Sequence, residues 1–180
     1  MLKASDSLLL VVDVQEKFRP VVPGIEEVIH RGQILMRAAQ RLKIPMLASE
    51  QYPKGLGATV ADLKQWLPDP GAYFPKLCFS AAAHDPLLEK IKASGRKQMV
   101  VFGVETHVCV LQTCLGLLER GFSVFVVADA VSSRKQIDRD MALRRMEKHG
   151  AELMTLEMAL FEWVRVAGTA EFKEIQGLVK

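Results

Sequence analysis

A chain of 180 residues is the size of one ordinary domain and can bury a large core. Its 49% hydrophobic and 25% charged content is that of a globular protein, which excludes disordered and fibrous classes. The formal net charge of +3 is small and both signs are interspersed, so neither a nucleic-acid nor a membrane-surface partner is indicated.

In chain order, Met1–Asp6 carries no basic stretch ahead of a long apolar one, and the apolar run ending at Val12 is too short for a signal or a membrane span. Ser7–Val14 reads as a buried strand and Gly24–Leu42 as an amphipathic helix. Ile44–Ser49 is a second strand. Tyr52–Gly57 is loop punctuation, after which Thr59 caps a short helix through Trp66. Leu67–Gly71 is irregular, Tyr73–Phe79 a weak strand and Pro86–Ala93 a helix. Gln98–Val104 is another buried strand, followed by a helix to Arg120 with Gly121 as its stop. Ser123–Ala128 (strand), Lys135–His149 (helix) and Glu152–Leu156 (strand) follow, and helical sequence closes the chain. Three cysteines, an odd number, point to reduced thiols and a cytoplasmic protein.

The alternation of strand and helix predicts one α/β domain over residues 1–180, with a mostly parallel sheet covered by helices on both faces. Ligands of such sheets bind beyond the carboxyl ends of the strands, where strand order reverses. Chemistry is therefore sought just after each strand.

Asp13 ends the first strand after five apolar residues, and a carboxylate buried there needs a partner or a task. Its plainer role is a cap for the following loop. Gln15 and Phe18 line the same crevice. Cys109 lies where the strand from Gln98 turns into a helix. Unpaired backbone N–H groups and the helix dipole there favour thiolate and lower the thiol pKa, and the same amides can cradle an oxyanion. The plainer reading is a packed structural cysteine, which suits Cys78 and Cys114 better. Lys76, a cation among apolar neighbours, is either a surface residue or a stabiliser of a nearby carboxylate and thiol. His107 is two residues from Cys109, about 200° away on a helix, so it orients or lines the site rather than pairing with the thiol. No histidine has metal-ligand spacing. Gly55-Leu56-Gly57 lacks the third glycine of a dinucleotide loop and does not follow the first strand. No metal and no cofactor are expected.

Asp, Lys and Cys thus fall in that order, each near a strand end. The segments Val12–Phe18, Glu50–Gly57, Lys76–Ser80, Gly103–Thr113 and Ala128–Arg134 together resemble the isochorismatase-like cysteine hydrolases, in particular their isochorismatase domain-containing branch. The resemblance implies a three-layer α/β/α sandwich of Rossmann-like order, with about six parallel strands. It also implies a triad of Asp13, Lys76 and Cys109, with Asp13 activating the thiol and Lys76 steadying the charges. A cis peptide at Val104–Glu105 would accompany them, with the Glu105 and Cys109 amides facing one oxyanion. The family commonly forms homo-oligomers. Nicotinamidases of this superfamily carry a metal-binding Asp-x-His after the second strand, where this chain reads Ser49-Glu50-Gln51-Tyr52. True isochorismatases lack the cysteine. The expectation is therefore a metal-independent hydrolase that cleaves a C–N bond of a small amide or related acyl substrate through a thioester. The alternatives are a binding or redox-responsive protein that keeps the fold, and a divergent nicotinamidase. Gln15, Phe18, Tyr52, Phe79 and His107 are the pocket candidates, with Trp66 as a further apolar wall.

Overall fold

The computed structural model covers residues 1–180. Six strands form one parallel sheet: β1 (Ser7–Val12), β2 (Met46–Gln51), β3 (Tyr73–Lys76), β4 (Gln98–Val104), β5 (Ser123–Ser132) and β6 (Glu152–Met154), in the order β3-β2-β1-β4-β5-β6. Every residue of β1 is buried, as a central parallel strand covered on both faces requires. β3 tolerates Pro75 because it is an edge strand, where the donor that proline lacks is not needed by a second neighbouring strand.

The principal helices are α1 (Ile25–Arg41), the short α2 (Pro53–Leu56) and α3 (Ala61–Lys64), α4 (Asp85–Ala93), α5 (Leu111–Glu119), α6 (Gln136–Lys148), α7 (Leu156–Val164) and α8 (Ala170–Gln176). On α1, Ile25, Val28, Ile29, Gly32, Leu35, Met36 and Ala39 recur at helical spacing and form the buried face. α1 packs with α3 and α7, while α5 packs with α6 and reaches α4 through the turn at Ala81–Ala83, so helices cover both faces of the sheet. Fifty-five buried apolar residues make one continuous core. No helix is long and apolar enough to cross a membrane.

Several boundaries differ from the sequence reading: β2 is shifted two residues on from Ile44–Ser49, β6 ends at Met154 rather than Leu156, and α3 ends at Lys64 rather than Trp66. β1 stops at Val12, because Asp13 turns into the left-handed region at φ +53°. β3 stops at Lys76, and β5 continues to Ser132 through a register irregularity opposite Val101 and Gly103. Thr59 is not a helix cap: its N–H (2.7 Å) and hydroxyl (2.8 Å) both donate to the buried Glu50 carboxylate, and α3 begins two residues later.

Strand order reverses between β1 and β4, which share a parallel ladder up to Val12 and Gly103. Connections leaving the two strands there diverge to opposite sides of the sheet, and the gap is the crevice of such folds. Gly103 holds the strands close. Its φ is +136°, and an added Cβ would lie 2.0 Å from the Val12 carbonyl oxygen.

Candidate active site

Parallel pairing of β1 with β2 and of β2 with β3 places three consecutive strand ends side by side. Val12 is in register with Ser49, and Gln51 with Lys76. Asp13 therefore emerges beside Ser49, whose carbonyl accepts the Asp13 N–H at 3.1 Å. The Ser49 hydroxyl donates to Asp13 Oδ1 at 2.7 Å, and Lys76 Nζ donates to Asp13 Oδ2 at 2.7 Å. Neither the Asp13 nor the Lys76 side chain has any exposed surface. Two buried ions are tolerated only when paired and further hydrogen-bonded, and this pair is. Lys76 Nζ also donates to Gln51 Oε1 at 2.7 Å and to the Phe79 carbonyl at 3.0 Å, with the Cys78 carbonyl at 3.3 Å.

Cys109 comes from the other side of the crevice. Glu105 leaves β4, a single wider π-type turn spans Thr106–Val110, and α5 continues from Leu111. Cys109 is 5% exposed, and Asp13 and Lys76 are the charges that bear on its thiol. The expectation of a lowered thiol pKa is not met. Burial pushes the thiol up, the Asp13 carboxylate pushes it further, and Lys76 offsets only part of this. The helix terminus acts on a group from which water has been removed, and desolvation of a thiolate is the larger effect. Cys114 is fully buried and also raised, in keeping with a packing role. Cys78 is half-buried.

The Val104–Glu105 peptide is cis. The Glu105 carboxylate is buried, and its Oε1 accepts the Arg134 backbone N–H at 3.0 Å and the Arg134 Nε–H at 2.9 Å. This ties the segment before Cys109 to the loop after β5. His107 Nδ1 is 3.1 Å from the Ser133 hydroxyl, and its Nε2 is 3.9 Å from Asp138 Oδ2. It does not pair with the thiol. It lines a cavity of about 500 Å³ against α6, together with Arg144, Arg145, Lys148 and His149.

The pocket candidates separate. Tyr52 (51% exposed) lines a cavity of about 580 Å³ with Leu77, Cys78, His84 and Lys76. Phe79 is equally exposed and gives its carbonyl to Lys76. Phe18 packs against the core. Gln15 is fully buried and does not face a pocket: its amide donates to the carbonyls of Gln51 (3.0 Å) and Gly57 (2.6 Å) and accepts the Gln51 N–H (2.7 Å). An uncharged side chain buried at a strand end is held by the main-chain groups that the neighbouring loop leaves unpaired. Trp66 lies under the Arg37 guanidinium at 5.3 Å and lines a separate cavity with Arg41. Nowhere do three His, Cys, Asp or Glu side chains converge as metal ligands would, and Glu50 is engaged by Thr59.

Sequence reading missed Ser49, Gln51 and Arg134 as partners of the expected site residues. The available signal was a run of three polar residues, Ser49-Glu50-Gln51, at the end of an otherwise apolar strand. That is the placement that singled out Asp13.

Residues 7–158 match the Isochorismatase domain family. Isochorismatase domain-containing protein 1 of Danio rerio is 41% identical over 179 residues, covering 99% of this chain and 62% of that protein. The chain thus spans less than two thirds of that relative. The secreted isochorismatase effector Isc1 of Phytophthora sojae is 41% identical over 97% of this chain and 84% of its own length. Among solved structures, the MAR1 ribonuclease of Caenorhabditis elegans superposes with a TM-score of 0.93 at 42% identity, covering 99% of this chain and 91% of that one. The YcaC gene product of Escherichia coli, described as an octameric hydrolase of unknown specificity, gives 0.90 at 29% identity over 98% and 89%. YcaC from Pseudomonas aeruginosa, with hexane-2,5-diol and covalent acrylamide, gives 0.90 at 30% identity over 98% and 90%.

Proposed function

The chain belongs to the isochorismatase family, and from that premise we propose that it is a metal-independent cysteine hydrolase that cleaves a C–N bond of a small amide or related acyl substrate. The observation that carries this reading is the wholly buried Lys76–Asp13 pair at 2.7 Å, whose two charges act in opposite directions on the buried Cys109 thiol. Its cost in desolvation suits a site more than a scaffold.

In this mechanism Asp13 takes the thiol proton as Cys109 Sγ forms a bond to the substrate carbonyl carbon. Lys76 keeps the carboxylate and the developing thiolate in place by its charge. The carbonyl electrons move to oxygen, where the Glu105 and Cys109 N–H groups receive the oxyanion. The C–N bond breaks and the amine leaves with the proton held by Asp13. Water then attacks the thioester and gives a proton to Asp13. The C–S bond breaks, and the thiol recovers its proton. Covalent acrylamide in the Pseudomonas neighbour supports a reactive nucleophile in this fold, and acrylamide is the natural first probe of Cys109 here.

A panel of amides, ureides and esters, assayed with the parent and with Cys109→Ala, tests the reading. Turnover in the parent that vanishes in the variant is expected. Equal turnover in both removes the thiol mechanism. A second reading rests on the C. elegans neighbour described as a ribonuclease and on the basic cavity beside His107, which suits a phosphodiester. An oligoribonucleotide in the same panel, cleaved by the parent, would favour it.

The proposal also takes residues 1–180 as one domain, supported by the single continuous core. It takes the protein as a homo-oligomer, supported by the octameric neighbour and by the exposure of Leu77 and Phe79 beside the site. A cytoplasmic location is supported by the three unpaired cysteines; the Phytophthora relative is described as secreted, and cell fractionation distinguishes the two.

A further inference from the structure

Lys76 is surrounded by more acceptors than it has protons. Asp13 Oδ2 and Gln51 Oε1 are each at 2.7 Å, the Phe79 carbonyl at 3.0 Å and the Cys78 carbonyl at 3.3 Å. An ammonium has three N–H donors in a fixed tetrahedral arrangement. The three short contacts match that number, and from this position Lys76 favours the Cys109 thiolate. What aims the ammonium is then decided by its one neutral side-chain acceptor.

That acceptor is itself held on every side. Gln51 Nε2 donates to the Leu77 carbonyl at 2.9 Å, which fixes which end of the amide faces Lys76. The Gln51 main chain is clamped by Gln15, which accepts its N–H at 2.7 Å and donates to its carbonyl at 3.0 Å. Gln15 is anchored in turn on the Gly57 carbonyl at 2.6 Å. A chain of neutral amides therefore runs from the 52–57 loop to the buried cation.

Resting on the cysteine-hydrolase reading, we infer that Gln51 is a positioning residue for the reaction: its side-chain carbonyl aims the Lys76 ammonium at Asp13 and so sets the charge that Cys109 feels. A neutral acceptor is needed for this. A carboxylate at Gln51 would oppose the field of Lys76 at the thiol, and an apolar side chain would leave the third proton only the longer Cys78 carbonyl contact at 3.3 Å, letting the ammonium turn away from Asp13. Both changes make the thiolate harder to form.

The test is the pH profile of Cys109 alkylation by acrylamide in the parent, Gln51→Glu and Gln51→Met. Because Gln15 grips the Gln51 main chain, the loop closure survives either substitution. Gln51→Glu should move the profile up by about one pH unit, an approximately tenfold slower reaction at neutral pH. Gln51→Met should move it the same way by about threefold. Profiles that superimpose on the parent's would overturn the inference. So would a Gln51→Met protein that fails to fold, since Gln51 would then be a structural residue. A parent in which Cys109 is not alkylated at any pH removes the hydrolase reading itself, whereas a reactive parent with unshifted variants removes only the role of Gln51.

Discussion

Lys76 Nζ and Asp13 Oδ2 stand 2.7 Å apart with no exposed side-chain surface on either residue, although 63 positions separate them in the chain. A pair so placed is strongly asymmetric in its energetics. Together the two ions are nearly neutral in cost, and apart each is a buried charge without compensation.

Lys76→Ala is accordingly expected to destabilise the fold by about 3–5 kcal/mol, because Asp13 keeps only the Ser49 hydroxyl. Chemical denaturation of parent and variant measures this. A loss below about 1 kcal/mol, the range of a surface pair, would mean that the pair opens to solvent.

Asp13→Asn separates base catalysis from thiolate formation. The carboxylate raises the Cys109 pKa, so its removal beside Lys76 should let thiolate form at lower pH, followed by its ultraviolet absorbance. Turnover should nevertheless fall by about 10²–10⁴, the ordinary share of a positioned base. Activity that rises along with the thiolate would show that Asp13 is not the base.

Stability should decline at alkaline pH. Cys109 and Cys114 are both raised in the folded protein, so they remain thiols while the unfolded chain begins to ionise near the usual value of about 8.5. Their contribution is fully present below that pH and is lost as pH climbs toward their folded values. Thermal melting between pH 7 and 10 should show a falling midpoint, and the fall should shrink in Cys114→Ala relative to its own value at pH 7. A slope unchanged by that substitution would assign the loss to other groups.

Gly103→Ala should prevent normal folding or abolish turnover, because the new Cβ meets the Val12 carbonyl at 2.0 Å in a backbone conformation closed to alanine. Backbone stands on the other side of the contact, so no side chain can move aside. Recovery of a soluble variant with parental activity would show that β1 and β4 can part at the switch point.

The sequence by itself determined the layout of the chain. Apolar runs of strand length alternating with helical periodicity required a parallel sheet between helices, since only that arrangement buries strands such as Ser7–Val12 on both faces. It also singled out Asp13, Lys76 and Cys109, because a charged or reactive residue at the end of an apolar strand conflicts with its surroundings unless it is used. Only the tertiary structure decided how these residues are partnered. Ser49 and Gln51 became neighbours of Asp13 and Lys76 through strand register, which one sequence does not display. Gln15 and Thr59, read as a pocket residue and a helix cap, were claimed by unpaired loop amides and by Glu50. The state of the thiol was decided last, for a physical reason: a helix terminus is visible in a local segment, but desolvation depends on everything packed around the sulfur.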